Sequence, residues 1–220
     1  MGRDTRADIC QAATEIISTK GYEKASLREI AEAVGITKAS LYYHFSSKNE
    51  LFDAILAPLL TDLRSALDEV SDREWSEEAA QVVLGQFIDS FITHRAIGAW
   101  LARDMCALSA SEHSLKELRV LIARLHLWLA GPDASFEDRI RAVAATEIVG
   151  GVLSSLVSVA DAPPEVLRKT LLESSMAVLS LHSHRGTTAS ATSSTPERHA
   201  GRPARHGAPQ GAHRVPHLQR

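Results

Sequence analysis

Between residues 26 and 48 the chain gathers side chains that donate and accept hydrogen bonds around a few small ones: Ser26, Arg28, Thr37, Lys38, Ala39, Ser40, Tyr42, Tyr43, His44 and Lys48. A small, polar leading edge suits entry into a duplex major groove about 12 Å wide. Thr37, Lys38 and Ser40 can hydrogen-bond base edges, and the Ala39 methyl can meet a thymine methyl. Catalysis has no comparable constellation. Serine and histidine are plentiful, but no GxSxG, phosphate loop or HExxH accompanies them. No catalytic residue, metal site or cofactor is therefore expected. Cys10 and Cys106 stand far apart and outside any CxxC, which argues against a disulfide scaffold or a cysteine-rich zinc fold and suits a reducing compartment.

Helices must position these side chains. No run of alternating β-branched residues and no Asn-Gly or Asp-Gly hairpin signal occurs. Ile9, Ala13, Ile16 and Ile17 share one face of a helix over 4–20, which Gly21 ends. Ser26-Leu27-Arg28-Glu29 reads as a capping box, with Glu29 reaching back to the Ser26 amide. Leu27, Ile30, Ala31 and Val34 form the inner stripe of that second helix, and Gly35 stops it. Thr37 caps a third helix over 38–45, with Leu41 and Phe45 pointing inward. Ser47-Lys48-Asn49-Glu50 is a second capping box and opens a fourth helix that runs to about Val70. Two short helices around a glycine-containing turn have the sequence form of a helix-turn-helix. Pro58 lies inside the fourth helix and predicts a kink or break. Further helices are expected near 76–93, 96–108, 112–130, 135–160 and 164–182, separated by Gly131-Pro132-Asp133 and Asp161-Ala162-Pro163-Pro164.

Charge divides the chain of 220 residues into three parts. Residues 1–50 carry seven Lys/Arg and seven Asp/Glu, residues 51–182 carry 11 and 19, and residues 183–220 carry six and one. An even head thus precedes an acidic body and a basic tail. The tail lacks apolar periodicity and is expected to be disordered, with a charge suited to non-specific phosphate contact. MGRDTRADIC has no apolar core of an export signal, so a cytoplasmic, nucleoid-associated protein is expected. Ala142–Ala160 is apolar but interrupted by Glu147, and reads as a buried helix of a soluble bundle rather than a membrane span.

The stretch SLREIAEAVGITKASLYYHFSSKNELFDAIL, residues 26–56, preceded by a helix ending in GYEKA, resembles the TetR family of bacterial transcriptional regulators. Ile30-Ala31, Val34-Gly35, Leu41-Tyr42-Tyr43-His44-Phe45 and Lys48-x-Glu50-Leu51 carry the resemblance, which covers the first quarter of the chain. It implies an all-α fold: an N-terminal three-helix helix-turn-helix domain, followed by a helical ligand-binding and dimerisation bundle. The expected boundaries are 4–64 for the head (helix-turn-helix 27–46), 65–182 for the body and 183–220 for the tail. It also implies that Tyr42 and His44 touch phosphates and that Lys48 grips the DNA backbone. Ser26 and Arg28 are similarly placed for phosphate or an outer base, and Arg3 and Arg6 for backbone or minor groove. The residues alone leave open whether one of Tyr42 and Tyr43 is a core aromatic.

The implied function is that of a homodimeric repressor, released from a palindromic operator by a small-molecule inducer. An all-helical enzyme or an adaptor keeping a helix-turn-helix head is the alternative. A head with no net charge binds DNA weakly by itself, so two heads at half-sites about 34–36 Å apart are expected. The helix over 142–160 is apolar nearly all round and should meet the core on one side and a second copy on the other. With the helix over 164–182 it would form a four-helix dimer bundle. Aromatic walls for an inducer are expected from Phe87, Phe91, Trp100 and Trp128, with His94, Arg103, Asp104, Cys106, His126 and Glu147 as polar anchors. The fourth helix is expected to be the only element shared by head and body.

Overall fold

The computed structural model describes residues 4–71, 73–104, 113–155, 159 and 161–180, the side chains of 102–104 excepted. The expectations for Arg3, Cys106, the 183–220 tail and the side chains of Arg103 and Asp104 lie outside the described residues. Among the described residues the fold is all-α: α1 (Thr5–Lys20), α2 (Leu27–Val34), α3 (Lys38–His44), α4 (Lys48–Ser71), α5 (Glu77–Thr93), α6 (Arg95–Asp104), α7 (His113–Ala130), α8 (Phe136–Ser154) and α9 (Pro164–Ser180). None of these helices is long and apolar enough to cross a membrane.

Local chemistry sets the ends of the first helices. The Asp4 carboxylate accepts the Ala7 amide at 3.2 Å and opens α1, which buries Ile9, Ala13 and Ile17. Gly35 adopts φ 77° and ψ 31°, and the Ile36 amide reaches back to the Ala31 carbonyl at 3.0 Å, the arrangement that ends a helix on a left-handed glycine. The two capping boxes form only in part. Ser26 and Ser47 accept the Glu29 and Glu50 amides at 3.1 and 3.0 Å. Glu29, however, turns to pair with Lys20, and Glu50 accepts from the amide and hydroxyl of Ser46 rather than from Ser47. Glu29 thereby gains a charged partner in place of a neutral amide, and Glu50 gains two donors in place of one.

Two expectations on helix bounds are corrected. Of the kink or break expected at Pro58, the break does not occur: α4 runs as one helix through the proline, which faces solvent. Leu51, Phe52, Ile55, Leu56, Leu59, Leu60 and Leu63 are buried on both sides of the proline. Their burial, at ~1.5–3 kcal/mol for a large side chain, outweighs the ~3 kcal/mol local penalty. The helix α8 ends at Ser154 rather than near 160. Gly150, Gly151 and Ser154 are weak helix formers, the Ser154 hydroxyl donates back to the Gly151 carbonyl at 3.1 Å, and Ser155 is extended.

The helix α1 packs on α2, α4 and α6, and α2 packs on α3. Behind them α4 packs on α5 and α7, α5 on α9, α7 on α8, and α8 on α6 and α9. The α1–α6 contact joins head to body beside α4. At this junction Phe52 of α4 lies between Tyr22, at 4.7 Å, and Trp100 of α6, at 5.5 Å between ring centroids.

Candidate nucleic-acid interface

Helix α3 is held by one side and offered by the other. Leu41 and the following Phe45 are fully buried, while Lys38, Ala39, Tyr42 and Tyr43 project outward. Tyr43 is 88% exposed, so neither it nor the part-exposed Tyr42 is a core aromatic. The Lys38 ammonium lies 5.6 Å from the Tyr42 ring centroid, a cation resting over an aromatic face. Thr37 caps the helix by accepting the Ser40 amide at 3.0 Å, which leaves its hydroxyl hydrogen free to donate outward. Ser26 caps α2 in the same way. Arg28, one residue into α2, pairs with Glu32 at 2.8 Å on the open surface.

Other cations of the region are committed to the chain's own backbone. The Arg6 guanidinium donates to the His44 carbonyl at 3.0 Å and rests 4.3 Å from the Phe45 ring centroid. It ties α1 to the end of α3. Lys48 donates to the carbonyls of Tyr22 at 2.5 Å and Glu23 at 3.3 Å, with the Tyr22 ring 4.3 Å away. Burial pulls the pKa of Lys48 below its ordinary value, and Glu23 opposes that shift. Tyr22, buried, completes the knot by donating its hydroxyl to Asn49 at 2.7 Å. Reading the chain residue by residue missed this cluster. The available signal was a tyrosine beside a helix-ending glycine, opposite a lysine at a helix start.

Among the described residues, the expected ligand residues are spread over several places. Phe87 meets Phe91 at a tilt, 4.8 Å between ring centroids, and lines an interior space with Leu63, Ala66, Leu67, Val83, Leu121, Ile122 and Leu125. That space is about 10 Å³, room for roughly one water. Trp100 belongs instead to the junction with α1 and α4. His94 pairs with Asp62 of α4 at 2.9 Å. His126 bonds Thr146 of α8 at 2.7 Å, Trp128 packs half-buried against the core, and Glu147 is exposed.

A sequence profile described as "Bacterial regulatory proteins, tetR family" matches residues 9–55. An uncharacterized HTH-type transcriptional regulator of Bacillus subtilis, YvdT, is 35% identical over 127 residues, 55% of this chain and 61% of that protein. The HTH-type transcriptional activator FasR of Mycolicibacterium smegmatis is 36% identical over 90 residues, 39% of this chain and 41% of its own length. The matched part thus spans less than two thirds of either relative. Among solved structures, a TetR-like transcriptional regulator from Rhodococcus shares the fold, with a TM-score of 0.60 at 21% identity, over 82% of this chain and 99% of its own.

Proposed function

Because this chain belongs to the TetR family of bacterial regulatory proteins, we propose that it is a sequence-specific DNA-binding transcriptional regulator rather than an enzyme. It acts as a homodimeric repressor on a palindromic operator. The head is residues 4–64 and the helical body is residues 65–182. The observation that carries this reading is the outward face of α3, where Lys38, Ala39, Tyr42 and Tyr43 stand clear of a helix anchored by Leu41 and Phe45. Thr37, Lys38, Ala39 and Ser40 read bases, and Tyr42, Tyr43 and His44 flank them on the backbone side. Ser26, Arg28 and Lys48 add phosphate contacts from the helix starts, where backbone amides also favour an anion. Lys48 does so with the part of its ammonium left over from Tyr22 and Glu23.

A small, largely apolar molecule is the proposed signal. The interior space between α4, α5 and α7 admits little more than a water in this state. A ligand entering there has to part these helices, and α4 carries the displacement to the head. A coupling of about 1–3 kcal/mol is typical of such linkage. The test is an electrophoretic shift of the full chain on genomic fragments, including the region upstream of its own gene. Retention on one fragment against excess competitor supports the reading, and uniform weak retention on all fragments opposes it.

A further inference from the structure

At the end of the body formed by the α4–α5 and α7–α8 connections, two open grooves meet on Trp75. One, about 280 Å³, is lined by Trp75, Leu129, Gly131, Asp133, Asp138 and Arg141 among others, and by Leu179 of α9. The second, about 560 Å³, is lined by Trp75, Arg73, Glu74, Leu127 and Trp128, with Gly131 and Pro132 between them. The indole rests on Gly131, whose φ of 84° turns the backbone beneath it, and donates to the Leu129 carbonyl at 3.3 Å. Its outer face is open, and Trp75 and Leu127 are 42% and 66% exposed. The charges around the ring are carboxylates and two arginines that are already paired, Arg73 with Glu69 and Arg141 with Asp138. Glu74 and Asp133 are exposed on the groove walls, and Glu77 and Glu137 are exposed nearby on α5 and α8. The arrangement is an aromatic platform with an acidic rim, a receptor for guanidinium groups.

The sequence beyond this place carries such groups. The last described turn of α9 lies at the lip of the groove, where Leu179 lines the wall and the Ser180 hydroxyl donates to Glu77 at 2.8 Å. The residues that follow include Arg185, Arg198, Arg202, Arg205, Arg214 and Arg220, against one carboxylate, Glu197. Arg185 stands five residues beyond Ser180, within about 17 Å even along a straight chain. We propose that the basic segment 183–220 docks on its own body in the grooves around Trp75, with arginine over the indole and Glu74 and Asp133 as its counter-charges. Tethering gives the segment an effective concentration on the order of millimolar, so contacts too weak to hold a free peptide suffice. Docking there keeps the positive charge of the segment away from DNA while the grooves are occupied. The inference stands apart from the reading of α3, and its test does not involve the operator.

The full chain is prepared with the photo-cross-linking residue p-benzoylphenylalanine in place of Leu127, and separately of Trp75. Leu127 is a groove residue whose exposed side chain the fold does not need. Irradiation followed by peptide mass mapping should join position 127 to peptides from 183–220. The yield should fall about fivefold when Glu74→Gln and Asp133→Asn are combined. It should also collapse at ~1 M salt, where screening shortens to about 3 Å. Cross-links confined to the body, or tail cross-links indifferent to both charge neutralisation and salt, would overturn the proposal. So would tail cross-links absent from the free protein, together with a tail deletion that alone lowers non-specific DNA affinity. That last outcome would assign the segment to DNA instead.

Discussion

Tyr43 and Lys48 sit five residues apart and carry opposite obligations. Tyr43 is 88% exposed and packs on no core element, whereas Lys48 binds two carbonyls and an aromatic ring within the chain. Lys38→Ala and Tyr42→Ala should therefore change stability by no more than about 0.5 kcal/mol each, as exposed positions do. Together they should abolish selective DNA retention with helical circular dichroism unchanged. Lys48→Ala should cost about 1 kcal/mol in denaturant unfolding, because it leaves the Tyr22 and Glu23 carbonyls short of a donor. It should also lower the salt slope of DNA binding by about one, equally for all sequences. A lowered stability with an unchanged slope would make Lys48 a structural tie alone. The outward residues of α3 were legible because a four-residue spacing places Leu41 and Phe45 inside. The ties of Arg6 and Lys48 were not, since both reach across 25 or more residues of sequence and no local pattern encodes such a partner.

His126 supplies a pH test at the same scale. The Thr146 hydroxyl donates to the Val143 carbonyl at 2.9 Å, so it accepts from Nε2–H of His126. Burial lowers the pKa of this imidazole from 6.5, with Glu147 opposing. The unfolded chain then takes up its proton first. The contribution is complete above the ordinary histidine pKa and is lost as pH falls from there through the depressed folded value. His126→Gln keeps a donor to Thr146 without the titration. Its melting temperature should drop less than that of the native chain between about pH 7.5 and about pH 5.5. Equal drops would show that this histidine does not contribute to acid lability.

Among the elements, α4 best separates local from tertiary control. Proline inside a helix costs about 3 kcal/mol relative to alanine, yet the helix continues past Pro58 because its apolar face is buried before and after it. Pro58→Ala should raise unfolding free energy by about 1–3 kcal/mol in denaturant titration, since the residue faces solvent and its ring buries little surface that alanine would lose. A neutral or destabilising result would mean that the proline shapes the helix in a way that the body requires. Helix existence was readable throughout from periodicity and caps. The end of α8 was misplaced because apolar composition continues past Ser154, while the backbone turns extended at Ser155. The ligand residues were misgrouped for a related reason. Trp100, His126 and Glu147 lie on α6, α7 and α8, whose facing sides depend on packing that sequence spacing does not reveal.

At the scale of the molecule, a row on α8 remains uncovered in the single chain. Phe136 and Ile140 are 80% and 67% exposed, and Val143 and Val166 of α9 are also open, although α8 and α9 pack closely together. Apolar residues at this spacing on two adjacent helices suit the proposed pairing of two copies. Ile140→Asp with Phe136→Asp should leave a folded monomer in sedimentation, with operator affinity reduced to that of one head. A dimer persisting in this variant would place the interface elsewhere. The central claim is that two α3 helices of a homodimer read a duplex. Its most direct test is selection of bound sites from a random-sequence duplex library, by the native chain and by the Lys38→Ala, Tyr42→Ala variant in parallel. The account predicts that the native chain enriches an inverted repeat whose half-site centres lie about one helical turn apart, ~34–36 Å, and that the variant enriches nothing. No enrichment by the native chain, or the same repeat enriched by the variant, would contradict it.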